Sequence, residues 1–134
     1  MIVRPWIHLP MLLGTFGAAP VAAQGSNATG DTAVIALGRK LFDGKGLCFS
    51  CHGKDGEGVL GPTTRLAGRK LVHTNATASA IAGLIKAGVD SAHSTSGQVM
   101  PPKGGSRLSD GEIEAVAVYV IELQQSDVKK PHSE

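Results

Sequence analysis

The chain has 134 residues, 42% apolar and 18% charged, a mean hydropathy of +0.06 and a formal charge of +2 from 13 basic and 11 acidic side chains. That length allows one small domain, the hydropathy excludes a polytopic membrane protein, and the sparse, balanced charge excludes both a disordered polyelectrolyte and a field suited to nucleic acid. Eighteen Gly and only 4% aromatic residues leave little with which to build a core unaided, so the composition predicts that something besides side chains fills the interior.

Residues 1–23 read as a secretory signal, with Arg4 as the positive end, the mostly apolar run Trp6 to Val21, and small residues at Val21-Ala22-Ala23. The run is short and broken by His8, Pro10 and Gly14, which favours cleavage after Ala23 over an uncleaved membrane anchor. Residues 24–30 form a flexible lead-in. Asp31 or Thr32 then caps a helix to about Asp43, with Val34, Ile35, Gly38, Leu41 and Phe42 on one face. The Gly-rich stretch Gly53 to Pro62 is a loop. Thr77 caps a second helix with Ile81, Leu84 and Ile85 inward, and Gly88 ends it. Residues 89–107 return to loop. The last helix carries the fullest signature: Ser109 and Glu112 form a capping box, Leu108 and Ile113 a hydrophobic staple, and Ile113, Val116, Ala117 and Val120 a stripe widened by Tyr119 and Leu123. No stretch alternates as a strand. The expected fold is all-α, three to five helices around a group that supplies the missing core, in a domain spanning 31–125 with a frayed tail at 126–134.

Cys48-Phe49-Ser50-Cys51-His52 is C-x-x-C-H. Two thiols separated by two residues reach the two vinyl groups on one porphyrin edge, and the next residue falls beneath the iron, where imidazole is a good ligand. A thioredoxin-like use of the pair needs a βαβ context, which the sequence does not offer. A tetrahedral zinc site needs a second close ligand pair, and adjacent Cys51 and His52 do not readily share one metal. The motif therefore predicts one covalent haem c, with Cys48 and Cys51 as attachment sites and His52 as proximal iron ligand.

For the sixth iron position the candidates are His73, His93, His132, Met100, a Lys, water or nothing. Met100 is the sole thioether after residue 23, and Pro101-Pro102 stiffens the backbone behind it. A soft sulfur ligand favours Fe(II) and raises the reduction potential relative to two imidazoles. Met100 is the expected second metal ligand.

On these residues the chain resembles a class I c-type cytochrome of the small single-haem bacterial kind, from Gly38 to about Leu123. Gly38-Arg39-Lys40-Leu41-Phe42 resembles the family's N-terminal helix, and Tyr119 the aromatic of its C-terminal partner. Val99-Met100-Pro101-Pro102-Lys103-Gly104-Gly105 resembles the axial-Met loop of the c5 and c-555 types. The resemblance implies that the Pro62 carbonyl accepts a hydrogen bond from the proximal imidazole. It also implies that Arg69, with Arg65 second, binds a haem propionate. The segment from Val89 to Gln98 is longer and more polar than the family pattern.

The function these readings imply is a soluble, monomeric one-electron carrier in the periplasm, with no enzymatic activity of its own. Its partners would be a dehydrogenase, reductase or terminal oxidase, with neither nucleic acid nor stable membrane insertion. Lys45, Lys54 and Lys103 offer a docking rim. Two other classes compete. One is a dedicated cytochrome subunit of a dehydrogenase or oxidase complex, marked by a large exposed apolar patch. The other is a haem peroxidase or gas sensor, marked by a vacant sixth position.

Overall fold

The computed structural model describes residues 28–126. The signal at 1–23, most of the lead-in and nearly all of the tail lie outside them. Four helices follow in chain order: α1 (Ala28–Asp43), α2 (Phe49–His52), α3 (Ala78–Ala87) and α4 (Asp110–Gln125). Two short 3-10 turns, Pro62–Thr64 and Pro102–Gly105, sit in the loops. Among the described residues there is no strand, only an isolated antiparallel bridge between Val89 and Met100. The all-α expectation holds.

Gly38 decides how the two long helices meet. A Cβ there would fall on the Ala115 carbonyl and lie 2.8 Å from the Tyr119 Cβ, so only Gly lets α1 and α4 approach backbone to backbone. Around this crossing Phe42, Ile113, Val116 and Ala117 are 0–1% exposed. Phe42 meets Tyr119 edge to face, centroids 5.4 Å apart at 74°, the geometry that ring quadrupoles favour. The Tyr119 hydroxyl donates to the Lys54 carbonyl at 3.3 Å, tying the crossing to the loop after the cysteine motif.

Two expectations for α1 need correction. Its helix is already formed from Ala28, ahead of the expected cap at Asp31 or Thr32. Asp31 lies in the first turn instead, where its charge faces the positive end of the helix dipole. Val34 is also 39% exposed. The buried stripe runs Gly38, Leu41 and Phe42 with Ile35 partly buried beside it, and Val34 lies one residue from Ile35, about 100° to the side.

The other helices follow their signals. Thr77 accepts from the Ala80 N–H at 3.3 Å, and Gly88 closes α3 at φ 74°. The Ser109–Glu112 capping box is formed in both directions, and Leu108 and Ile113 are buried beside it. Helix α3 packs on α4 and also touches the Pro102–Gly105 turn. The helices thus leave one face open, and the loops 44–73 and 88–105 wall it.

Candidate cofactor site

The cysteine motif folds as a single helical turn. His52 N–H donates to the Cys48 carbonyl at 3.0 Å, and Gly53 N–H to the Phe49 carbonyl at 2.8 Å. The motif itself is α2, too short for any periodic signal. Leu47 enters it in the left-handed region at φ 56°, and its carbonyl accepts from Ser50 Oγ at 2.7 Å. Neither cysteine is paired in a disulfide, and both are partly buried. Burial pushes the Cys48 thiol up to about 11. That is opposite to the lowered value a thiol–disulfide catalyst needs.

His52 is half-buried, 6.3 Å from the Phe42 ring. Its Nδ1 lies 2.5 Å from the Thr64 carbonyl. A carbonyl only accepts, so Nδ1 carries the proton and Nε2 keeps its lone pair. Burial lowers the ring's pKa, which keeps it neutral, although the Thr64 bond opposes this. An oriented neutral imidazole with a backbone partner behind it is the usual arrangement of a metal-ligating His.

The partner differs from the expected one. The Pro62 carbonyl does not receive the imidazole proton. It accepts from the Arg69 guanidinium, and Thr64, at the end of the 3-10 turn, takes the ring. The turn rotates successive carbonyls into different directions, so a two-residue offset decides which faces His52. Arg69 lines the cavity described below, with Arg65 and Lys70, while Arg65 Nε is bonded to the Ala67 carbonyl at 3.0 Å. Two of the three rim lysines are engaged: Lys45 pairs with Glu112 at 2.7 Å, and Lys103 donates to the Leu108 carbonyl at 3.1 Å.

Met100 is held through its backbone. Its N–H donates to Val89 O at 2.9 Å, and Val89 N–H to Met100 O at 2.8 Å. Gly88 presses on this bridge: a Cβ there would fall on the Met100 carbonyl and lie 2.8 Å from Pro102 N. The Pro pair and the 3-10 turn then carry the chain away. None of this pairing is visible in the sequence, because Val89 and Met100 form one isolated rung and not an alternating strand.

Cys48, Cys51, His52 and Met100 all line one cavity of about 570 Å³, within the range of about 300–1,000 Å³ usual for cofactor sites. Its floor is Phe42, Ile81, Ile85, Val116 and Val120 from α1, α3 and α4. Arg65, Arg69, Lys70 and His73 gather on its wall. Two sulfurs for attachment, an imidazole with a free lone pair, a thioether, an apolar floor and a cationic margin fit a haem with its two carboxylates. Among the described residues no three His, Cys, Asp or Glu side chains gather as a metal cluster, so the zinc reading lacks its remaining ligands. His93 sits away from this wall, bonded to Asp90 at 2.8 Å.

A family model described as cytochrome c oxidase, cbb3-type, subunit III matches residues 33–120. The chain belongs to that family. No curated protein and no solved structure matches it. The match covers most of α1, the cysteine motif, Met100 and most of α4, which contribute side chains to the cavity. The protein is a class I c-type cytochrome, and its cofactor is covalently bound haem c. Haem-based electron transfer follows from that cofactor. Among the described residues no helix is long and apolar enough to cross a membrane.

Proposed function

We propose that this cytochrome is a one-electron carrier working outside the cytoplasm, its haem iron held between His52 Nε2 and Met100 Sδ and its porphyrin tethered by Cys48 and Cys51. The observation that carries the reading is that all four side chains line one cavity although Met100 comes from a segment far along the chain. Bound haem supplies a one-electron couple. The chain's own residues do the rest. Thr64 orients His52 through Nδ1. The Val89 bridge and the Pro pair hold Met100 with little backbone freedom. The apolar floor would keep water from the bound porphyrin, which would limit reorganisation. If His52 and Met100 both ligate, the bound iron would offer no position to peroxide or oxygen, and on that reading we assign the protein no catalytic activity. The Met-Pro-Pro-Lys-Gly-Gly order supports a c5 or c-555-like ligand loop. Arg69 and Arg65 are the proposed propionate contacts, and export through the signal at 1–23 accords with the haem-attachment motif.

The family description favours a second reading, a cytochrome subunit of an oxidase complex. Purification as a monomer that several donors reduce supports the carrier. Co-purification with an oxidase supports the subunit. The ligand assignment is tested by the absorption spectrum of the oxidised holoprotein and of Met100→Ala. The expected result is a sulfur–iron charge-transfer band in the parent and its loss in the variant. An unchanged spectrum would remove Met100.

A further inference from the structure

The polar segment between Asp90 and Val99 contributes none of the four proposed haem-holding side chains. It is not a loose loop. Asp90 Oδ1 accepts from the His93 N–H at 2.9 Å and pairs with His93 Nδ1 at 2.8 Å. Ser94 N–H donates to the Asp90 carbonyl at 3.0 Å. The Ser96 N–H donates to Ser94 Oγ and the Gln98 N–H to Ser96 Oγ, each at 3.2 Å. Its base is the Val89–Met100 bridge. These bonds tie the loop to itself, and the residue at its end is Met100.

One side chain reaches from this loop to the other wall of the cavity. Gln98 Nε2 donates to the Leu60 carbonyl at 3.3 Å. Leu60 belongs to the loop that follows His52, so the bond joins the histidine half to the methionine half, and both Gln98 and Leu60 line the cavity. We propose that Gln98 is a positioning residue: by holding Leu60 it latches the 89–100 loop across the cavity and sets how readily Met100 leaves the iron. The inference rests on Met100 being the sulfur ligand. For the thioether to swing away its backbone must move, and the bridge couples that movement to the loop. The latch adds one bond to be broken first.

The test uses the oxidised holoprotein and exogenous imidazole, which displaces a thioether from ferric iron. Displacement is followed as loss of the sulfur–iron charge-transfer band. Gln98→Glu keeps the side-chain length and removes the donor, Gln98→Ala removes the side chain, and Gln98→Lys restores a donor of similar reach. Both donor-less variants should show the band before imidazole is added and then lose it about two- to tenfold faster than the parent, the factor that one neutral hydrogen bond is worth. Gln98→Lys should return the rate towards the parent's. Parent-like rates in Gln98→Glu and Gln98→Ala, with the band intact, would overturn the latch alone. A lowered unfolding midpoint without faster displacement would overturn it too. A parent with no band would overturn the Met100 assignment, and the latch with it.

Discussion

The crossing of α1 and α4 and the walls of the haem cavity are built on opposite terms. At the crossing the large side chains are sealed, with Phe42, Leu108, Ile113 and Val116 at 0–1% exposure. On the walls Leu47, Leu60, Val72 and Val99 are 49–57% exposed and all four line the cavity. The crossing is packed by protein, and its Phe42 and Val116 also form part of the cavity's floor. The walls present apolar side chains to a cavity that the haem would fill. The same chain therefore has one half stabilised by its own packing and another whose stability is linked to its cofactor.

The most damaging way to break this contrast is to cut the tether. Cys48→Ser with Cys51→Ser should give a chain from which haem is wholly extracted by acidified organic solvent, whereas the parent retains it. Circular dichroism of the variant should keep a signal from the α1–α4 pair while losing the sharp aromatic features of a packed interior. Equal haem retention would refute covalent attachment.

A smaller effect follows from attacking the crossing instead. Gly38→Ala puts a methyl onto the Ala115 carbonyl, and overpacking of this kind costs about 1–3 kcal/mol. Urea unfolding of the holoprotein should show a lowered midpoint, with the Met100 charge-transfer band unchanged in the folded state. Loss of the band at low urea would mean that the two halves are not separable.

The smallest expected effect lies where the halves are joined. Lys45, on the loop leading to the cysteine motif, bonds both carboxylate oxygens of Glu112 at the start of α4, at 2.8 and 2.7 Å. That ammonium, helped by the Ser109 N–H, holds the Glu112 carboxyl at about 2, below its ordinary 4.5. A folded value below the unfolded one contributes stability above pH 4.5 that is lost as pH falls towards 2. Lys45→Ala should therefore flatten the fall in unfolding midpoint over that window and leave the slope near neutral pH alone. Identical acid profiles would show that the pair carries no linkage.

Legibility in the sequence follows the same division. Helix α4 was readable because cap, staple and stripe are local patterns along one segment, and Thr77 and Gly88 mark α3 for the same reason. The cysteine motif was readable because covalent chemistry fixes its spacing. What the sequence hides is which loop atoms meet. Thr64 in place of Pro62 behind His52, the Val89–Met100 rung and the Gln98–Leu60 bond all depend on how two loops are draped, and no periodicity records that. The exposure of Val34 was hidden for a subtler reason: a helix needs only part of its apolar arc for one partner, and the partner's width is not written in the helix itself.

The meeting of α1 with α4 has a topological consequence. These helices come from opposite ends of the described chain, so everything between them forms a single closed ring of polypeptide. The entropy of closing such a ring grows only with the logarithm of its length. Extra residues inserted in the surface loops should thus cost little, whereas trimming either end would unclasp the whole circuit.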